Sequence, residues 1–362
     1  FHHIYHFLTV DLTKQIRALS KLGEILTNPD PEHFKHVATD LNKLNETVRH
    51  VHHNNGWFTE SNVSFALKAL GRSLNIFDLE KWTKKYSKSL FEPKRINKIG
   101  IIMAGNIPLV GFHDYICGLI SGHKIKIKLS SNDNVLLPLI HTLLVKIEPD
   151  FKDMITFEEG TISDFDAIIA TGSNNTSRYF EYYFGKYPHL IRKNRNSVAV
   201  LTGEESFDEL KGLCEDIFRY FGLGCRNVSK LFVPENYNFN KFFLVAKNFA
   251  DLINHNKYKN NYDYNKAVYL VNKVTHLDNG FIILKEDEKF SSPVAVVFYE
   301  YYQNIDQVSK ILITNSEKIQ CIVSTDPIIR HKMNVKPGKT QEPALWDYAD
   351  DIDTLAFLLN LK

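Results

Sequence analysis

The sequence has 362 residues, of which 44% are hydrophobic, and its formal net charge at pH 7 is +2. This length and composition exclude a disordered or fibrous protein and are typical of a globular chain with two or three domains. Basic and acidic residues are interleaved, so the charge pattern does not indicate nucleic-acid binding. No apolar run approaches the ~20 residues of a membrane helix, and the first residues lack the order of a secretory signal, which predicts a cytoplasmic protein.

Cysteine and histidine spacing argues against a disulfide framework and against a metal centre. The four cysteines lie far apart without a CxxC pair, and they are Cys117, Cys214, Cys225 and Cys321. In a chain of this size we expect them to be reduced thiols. The histidine-rich stretches FHHIYH (1–6) and HVHHNN (50–55) have no HExxH spacing. We therefore predict no bound metal.

The first quarter of the sequence has the periodicity of amphipathic helices. Apolar residues recur at helical spacing, for example at Ile16, Leu19, Leu22 and Ile25, and again at Val37, Leu41, Leu44 and Val48. The turn-forming stretches NPDPEH (28–33) and HNNGW (53–57) interrupt this pattern. We predict helices from residue 12 to about 92.

From Lys98 onward, short runs rich in β-branched residues alternate with longer amphipathic stretches. The runs are KIGIIMA (98–104), HKIKIKLS (123–130), DFDAIIATGS (164–173), NSVAVLTG (196–203), VSKLFVP (228–234), SPVAVVFY (292–299) and IQCIVSTD (319–326). Strands that alternate with helices favour parallel α/β units joined by right-handed crossovers. A polar cluster in HLIRKNRNSV (189–198) precedes a new strand and a long helix, which suggests a domain division there.

Asn106 follows the first predicted strand in the stretch MAGNIP (103–108). An asparagine amide on such a turn can donate a hydrogen bond to a developing oxyanion, as acyl chemistry requires. The alternative is an asparagine that only forms the turn.

The next strand ends in KLSS (128–131). Period 2 places Lys124, Lys126 and Lys128 on one strand face, with Lys128 at the carboxyl end, where ligands of open α/β sheets bind. Lys128, Ser130 and Ser131 offer donors to ribose hydroxyls or to a 2′-phosphate, and no carboxylate in this stretch would repel the phosphate. The alternative is a solvated face of an edge strand.

A third predicted strand ends in Thr171, Gly172 and Ser173, and a stretch of helical character follows. A helix start presents free N–H groups and the positive end of the helix dipole, which can hold a phosphate. The alternative is ordinary N-capping by Ser173 or Asn174, since no GxGxxG is present.

Cys225 differs from the other cysteines in its local sequence. The stretch SFDELKGLCEDIFRYF (206–221) predicts a helix that Gly222 ends, which leaves Cys225 on the loop before the next strand. Gly224 allows close approach of a ligand, and Arg226 favours a thiolate. Cys117, Cys214 and Cys321 lie in apolar-periodic stretches, which predicts that they are buried and inert. Composition and spacing alone leave a turn cysteine and a nucleophile equally open.

In this order, these stretches resemble the aldehyde dehydrogenase superfamily, and more closely its acyl-CoA reductases of the LuxC type, over roughly residues 96–350. The stretch EKFSSPV (288–294) resembles the superfamily's Glu-x-Phe-Gly-Pro segment, and QEPALWDYAD (341–350) resembles the C-terminal signature of the acyl-CoA reductases. The resemblance implies Cys225 as the nucleophile and Asn106 as the oxyanion donor. It also implies a set of cofactor-binding residues: Lys128, Ser130, Ser131, Thr171, Gly172, Ser173, Glu288 and Phe290.

Two departures from the superfamily pattern bear on these roles. Ser291 replaces the usual glycine of the Glu-x-Phe-Gly-Pro segment. The stretch HLIRKNRNSVAVL (189–201) occupies the place of a Glu-Leu-Gly-Gly segment and has no glutamate. In hydrolytic aldehyde dehydrogenases that glutamate activates the water that releases the acid. Its absence favours reduction of an acyl group over oxidation of an aldehyde.

The resemblance therefore implies an NADPH-dependent reductase that converts an acyl-CoA, of fatty type, to an aldehyde through a cysteine thioester and releases CoA. NADH remains open as the cofactor. One alternative is an NAD(P)-dependent aldehyde dehydrogenase of another specificity. Another is a catalytically silent nucleotide-binding subunit of a complex.

The implied fold class is α/β and aldehyde-dehydrogenase-like, with a Rossmann-type nucleotide-binding domain and an α/β catalytic domain. We expect a helical region over 1–95 packed on the nucleotide domain, the nucleotide domain over 96–195, the catalytic domain over 196–335 and a tail over 336–362. The apolar and aromatic residues of that tail suggest packing on a neighbouring domain or subunit, and we expect a homodimer.

Overall fold

The computed structural model describes residues 11–91, 95–326 and 334–361. The chain divides into two compact units. Unit 1 contains the described residues up to Lys193, Ala344–Tyr348 and those from Ile352 onward, and unit 2 contains Asn194–Pro343 and Ala349–Asp351. The histidine-rich stretch 1–6 lies outside the described residues.

Four helices form the first part of unit 1. They are α1 (Leu12–Thr27), α2 (Ala38–His50), α3 (Glu60–Ser73) and α4 (Ile76–Thr83). The eight apolar residues at helical spacing named above are all buried, which confirms the predicted helical periodicity. Helices α1 and α3 approach closely at two glycines, since a Cβ on Gly23 would lie 2.8 Å from the Gly71 carbonyl oxygen.

Unit 1 also contains a sheet of five parallel strands in the order β3-β2-β1-β4-β5. The strands are β1 (Lys98–Ile102), β2 (Lys124–Lys128), β3 (Ile155–Phe157), β4 (Ala167–Thr171) and β5 (His189–Arg192). The connecting helices are α5 (Phe112–Ile120), α6 (Leu136–Ile147) and α7 (Asn174–Phe184). The buried side chains of this sheet and of α1–α4 form one continuous hydrophobic core. Strand β2 lies between β1 and β3, so the edge-strand alternative for its lysines is wrong.

Unit 2 is built on a seven-stranded sheet in the order β12-β11-β6-β7-β10-β9-β8, in which only β8 runs antiparallel to its neighbour. The strands are β6 (Asn196–Val200), β7 (Val228–Pro234), β8 (Leu277–Asp278), β9 (Ile283–Glu286), β10 (Val296–Tyr302), β11 (Ile319–Val323) and β12 (Asn334–Val335). The helices are α8 (Phe207–Phe218), α9 (Asn240–Ala246), α10 (Asn256–Val271) and α11 (Ile305–Thr314). All seven strands predicted from the sequence are present, and the predicted α/β class is confirmed.

The segment after Pro343 contributes to the core of unit 1. Leu345, Tyr348 and the last helix α12 (Thr354–Leu359) pack into that core. The Trp82 indole N–H donates to the Tyr348 hydroxyl at 2.6 Å, and His123 Nε2 lies 3.0 Å from the Leu358 carbonyl oxygen. Leu345, Tyr348, Leu355, Leu358 and Leu359 are buried in unit 1, so this part of the predicted tail packs on another domain, one of the two alternatives given above, whereas Ile352 is exposed. The expected homodimer stays a prediction.

Neither a membrane-spanning helix nor a metal-binding cluster occurs in the part of the chain that the structure describes. No helix there is long and apolar enough to cross a bilayer. Within the same residues, no group of three or more His, Cys, Asp or Glu side chains could hold a metal ion.

Candidate active site

The unit 1 candidates lie at one edge of its sheet. Three loops, 103–111 after β1, 129–135 after β2 and 172–173 after β4, leave the carboxyl ends of adjacent parallel strands. Carboxyl ends of parallel strands meet at the same edge, where open α/β sheets bind ligands. The structure thereby brings Asn106, Lys128 and Ser131 to the same edge as Thr171–Ser173.

The Asn106 loop is joined to the loop after β2. Gly105 packs so closely on Ser130 that a Cβ would lie 2.6 Å from the serine Oγ. The Leu109 N–H, in a residue with φ of +57°, donates to Asp133 Oδ2 at 2.7 Å. Burial raises the pKa of Asp133 to about 6, and the bond from Leu109 opposes that shift. These contacts hold the turn that presents Asn106 at an exposed position.

The KLSS stretch has one exposed side chain and two that the protein itself engages. Lys128 Nζ donates to the Gly160 carbonyl, and Ser130 Oγ accepts from the Asn132 N–H at 3.2 Å. Ser131 is exposed. Glu158 Oε1 lies 3.9 Å from Lys126 Nζ. The structure therefore places a carboxylate beside this strand that the stretch KLSS itself does not contain. Two of the three predicted contacts therefore also have a local structural role.

Ser173 caps helix α7. Its Oγ accepts from the Thr176 N–H at 3.2 Å, so the N-capping alternative is confirmed for this side chain. A Cβ on Gly172 would lie 3.0 Å from Thr176 Cβ and 3.0 Å from the Phe180 ring, so the turn folds tightly on its own helix. Capping engages the serine hydroxyl and leaves phosphate binding by this helix start as a prediction.

Cys225 lies on a short loop at the amino end of β7 in unit 2. The predicted helix ends earlier than Gly222, because α8 stops at Phe218. Tyr220, Phe221 and Gly222 then adopt left-handed conformations with φ of +53°, +58° and +75°. Two non-glycine residues in that region indicate a backbone held by its surroundings. The prediction that Gly222 ends the helix is therefore wrong, although this glycine does complete the left-handed turn.

The buried side chain of Asn227 fixes the Cys225 loop to the end of α8. Its Oδ1 accepts from the Gly224 N–H at 2.8 Å, and its Nδ2 donates to the Asp216 and Arg219 carbonyls at 2.9 and 2.8 Å. Only 3% of Asn227 is exposed. The sequence analysis missed this residue, whose only signal was an asparagine between a turn glycine and a strand.

A second anchor comes from strand β6. Ser197 Oγ donates to the Cys225 carbonyl at 3.0 Å, and the Cys321 N–H donates to the same Oγ at 3.2 Å. Cys321 is buried, and burial raises the pKa of its thiol to about 11. Cys117 and Cys214 are also buried, whereas Cys225 is partly exposed. The predicted burial of the other three cysteines is thus confirmed.

Glu288 and Phe290 lie on the segment between β9 and β10, also in unit 2. Glu288 is exposed and Phe290 is half-buried. Ser229 Oγ donates to the Phe290 carbonyl at 2.6 Å, and Lys230 Nζ donates to the Asp287 carbonyl at 2.8 Å. Strand β7 therefore carries the Cys225 loop at its start and holds this segment through its next residues.

The stretch without the glutamate contains a buried cation. Arg192, at the end of β5, forms an ion pair with Asp114 of α5 and donates to Thr354 Oγ1 at 2.7 Å. Both members of the ion pair are almost fully buried. Arg192 thus connects β5 with α5 and with Thr354 inside unit 1.

The fold defined by these two units is that of the aldehyde dehydrogenases. Aldehyde dehydrogenase 21 from Physcomitrella patens, solved with its product succinate, is similar with a TM-score of 0.63 and 13% identity, over 96% of this chain and 84% of that one. An NAD-dependent benzaldehyde dehydrogenase from Corynebacterium glutamicum has a TM-score of 0.61 and 11% identity, over 87% and 76%. An NADP-dependent enzyme from E. coli has a TM-score of 0.58 and 11% identity, over 86% and 76%.

Sequence comparison adds nothing to this structural likeness. No protein-family profile and no curated protein matches the chain. At 11–13% identity the likeness shows the fold alone.

Proposed function

We propose that this chain is a nicotinamide-dependent oxidoreductase. Its proposed substrate is an aldehyde or an acyl group whose carbonyl carbon has the oxidation level of a carboxylic acid. The aldehyde-dehydrogenase fold supports the class of reaction, as do the NAD- and NADP-dependent neighbours. The five-stranded parallel sheet of unit 1 supports the cofactor class, since its order matches five strands of the six-stranded order 3-2-1-4-5-6 of dinucleotide-binding domains.

Within that class we propose an acyl-CoA reductase with Cys225 as its nucleophile. The observation that carries this proposal is the setting of Cys225: it is the partly exposed member of four cysteines, on a loop anchored by Asn227 and Ser197. Reactive cysteines occupy accessible, positioned sites, whereas buried thiols are inert. Asn227 and Ser197 hold the backbone on both sides of the Cys225 side chain, which supports a positioned nucleophile.

The proposed reaction begins when the Cys225 thiolate attacks the carbonyl carbon of the acyl-CoA thioester. The carbon–sulfur bond to CoA breaks, CoA leaves as a thiolate that takes up a proton, and the acyl group remains on Cys225 as a thioester. Asn106 is proposed to donate a hydrogen bond to the oxyanion of the tetrahedral intermediate. After reduction at the acyl carbon, the bond to Cys225 Sγ breaks, and the aldehyde leaves with the thiolate restored.

A bound reduced nicotinamide would supply the hydride for that reduction. The donor set at the carboxyl edge of the unit 1 sheet fits such a dinucleotide. The start of α7 offers N–H groups and a positive dipole end to a pyrophosphate, and Lys128 and the exposed Ser131 lie at the carboxyl end of the neighbouring β2. A neutral serine at position 131 accommodates a 2′-phosphate, which is why we propose NADPH.

The missing glutamate favours reduction of the acyl group over oxidation of an aldehyde. A carboxylate base beside the acyl-cysteine would activate water and hydrolyse the intermediate before reduction. The stretch 189–201 has no glutamate, and Arg192, one of its three cations, is engaged by Asp114. A long-lived acyl-enzyme is what a reductase needs.

Intact-mass spectrometry after incubation with acyl-CoA alone tests the nucleophile and the substrate class together. We expect a mass increase equal to one acyl group, in a hydroxylamine-sensitive bond, and no increase in Cys225→Ala. Chains of several lengths should be compared, and loss of NADPH absorbance should follow when cofactor is added. Retained acylation in Cys225→Ala would show that another residue is labelled and would contradict the mechanism.

The same preparation separates the alternatives. Oxidation of aldehydes without CoA, and without acylation by acyl-CoA, would indicate an aldehyde dehydrogenase of another specificity. Nicotinamide binding without turnover of acyl-CoA or aldehyde would indicate a catalytically silent subunit.

A further inference from the structure

A lysine side chain inside the unit 2 sheet makes contacts that the chemistry above does not use. Lys230 lies on β7, and its side chain is 0% exposed. Its Nζ forms an ion pair with Glu300 of β10 and donates to the Asp287 carbonyl at 2.8 Å. Lysine is seldom fully buried without such partners, because an unpaired buried charge is costly.

The contacts of Lys230 converge on one segment of the chain. Residues 287–290 connect β9 towards β10 outside regular secondary structure. Besides the bond to Asp287, the Lys230 ammonium lies 5.5 Å from the centre of the Phe290 ring, within cation–π range. The preceding residue, Ser229, donates to the Phe290 carbonyl at 2.6 Å. Two adjacent residues of β7 thus contact both ends of this segment, and the Asp287 N–H also donates to the Tyr299 carbonyl of β10 at 3.1 Å.

The lysine also has partners on the strands β7 and β10. Glu300 is the partner that compensates its charge, and the Phe232 ring centre lies 5.0 Å from the ammonium. Within β7 and β10 the pairing register sets Lys230 beside Phe298 and Phe232 beside Glu300. The ammonium is therefore held by side chains of two regular strands and contacts an irregular segment. This arrangement is expected of a residue that positions the segment.

We propose that Lys230 and Ser229 are positioning residues that hold segment 287–290 in the conformation required for nicotinamide binding, with Glu300 keeping the lysine charged and in place. This inference rests on the proposed function, in which Glu288 and Phe290 contact the nicotinamide riboside. Lys230 itself is buried and acts through the segment. Because the segment serves the cofactor, the acylation of Cys225 does not require it.

The test uses two half-reactions that the proposed mechanism keeps separate. Acyl-cysteine formation from acyl-CoA alone is followed by mass, and NADPH binding is followed by its fluorescence. Lys230→Met removes the charge and keeps the length, and Ser229→Ala removes only one hydroxyl. We expect Lys230→Met to weaken NADPH binding and slow reduction by about tenfold or more, with acylation within about twofold of the unchanged protein. Ser229→Ala should show a smaller loss of the same kind.

A matched control removes an equivalent bond elsewhere in unit 2. The Tyr302 hydroxyl donates to the Leu201 carbonyl at 2.6 Å, and neither residue belongs to segment 287–290. Tyr302→Phe should leave NADPH binding and acylation unchanged. If Lys230→Met does not fold, as judged by thermal unfolding, Ser229→Ala against Tyr302→Phe decides the question.

The outcomes distinguish this inference from the proposed function. Parallel losses in acylation and NADPH binding, or unchanged NADPH binding in folded Lys230→Met and Ser229→Ala, would overturn the positioning role. If the unchanged protein binds NADPH but is not acylated, the acyl-CoA mechanism fails, and a selective loss of NADPH binding in the variants still supports the positioning role. If the unchanged protein binds no nicotinamide, both proposals are overturned.

Discussion

The amide side chain of Asn227 connects the backbone N–H of Gly224 to two carbonyls at the end of α8, Asp216 and Arg219. Gly224 immediately precedes Cys225 in the chain. The position of the proposed nucleophile is therefore set by a side chain that itself has no part in bond making.

Asn227→Asp should impair Cys225 without removing it. An aspartate keeps the acceptor for Gly224 but loses both donated bonds, so the loop detaches from α8. We expect acylation to slow by about tenfold or more, since misplacing a reacting group is costly. The free energy of unfolding should fall by about 1–3 kcal/mol, because buried carbonyls lose their donors. Quenched time courses of acylation measure the first effect, and urea unfolding measures the second.

Asn315→Ala is the control for that substitution. Asn315 also donates from its side chain to a carbonyl in unit 2, that of Ile311 at 2.9 Å. Its loss should leave acylation unchanged. Equal acylation rates in Asn227→Asp and Asn315→Ala would contradict the role assigned to Asn227.

Asp133 should make folding stability depend on pH. Its pKa is raised by burial to about 6, above the value of 3.8 for an ordinary aspartate. A raised pKa means that the folded state binds the proton more tightly, so this contribution is present below pH 4 and is lost as pH rises through 6. The full effect is about 3 kcal/mol.

Asp133→Asn removes the proton exchange while keeping an acceptor for the Leu109 N–H. Urea unfolding at several pH values from 4 to 7 should show the variant gaining stability relative to the unchanged protein as pH rises. A constant difference across this range would show that Asp133 does not titrate as its burial requires.

Ser131→Glu should change the preference between cofactors. Ser131 is exposed, so the substitution should not disturb the fold. A carboxylate there would repel a 2′-phosphate, and we expect the KM for NADPH to rise by about tenfold while that for NADH changes little. Ser131→Gln introduces a side chain as long as that of glutamate but without its charge, and it should leave the KM for NADPH unchanged. Equal effects of Glu and Gln would mean that size, and not charge, governs this position.

Gly212 should be intolerant of a side chain. A Cβ there would lie 2.7 Å from the Pro337 carbonyl carbon and 2.9 Å from the Gly338 nitrogen, and backbone atoms cannot rotate away. We expect Gly212→Ala to lower the unfolding free energy by about 1–3 kcal/mol. Gly160→Ala is the comparison, because no atom lies within 4 Å of a Cβ there. Chemical denaturation of both variants should show a loss in the first that is absent in the second.

The sequence predicted the strands whose residues are both β-branched and buried, such as β1 and β10. It did not predict β5, because HLIR mixes charged and apolar residues and reads as a polar cluster. The strand forms since its neighbour β4 offers a parallel edge, with Ile168 pairing with His189. That partner lies outside any local window.

The site was predictable as a set of loops, but the contacts that hold them were not. Cys225 stood out because Gly222 and Gly224 mark a turn before a strand. Nothing in the sequence revealed that α8 would end at Phe218 or that the next carbonyl, that of Arg219, would accept a hydrogen bond from Asn227. Lys230 was detectable in the sequence as a charged residue inside an apolar strand. Its role could be interpreted only with its partner Glu300, which lies on another strand.

The return of the chain to unit 1 has a consequence for how that unit is made. Hydrogen bonds join Tyr348 to Trp82, Thr354 to Arg192 and Leu358 to His123. The partners in each pair are about 160 or more positions apart, so the core around the earlier residue is complete only after the later one has been synthesised. During synthesis we expect the core of unit 1 to remain incomplete until unit 2 and the segment after it have been translated. A fragment cut after Lys193 should therefore aggregate when expressed alone and recover only when the missing segment is supplied in trans.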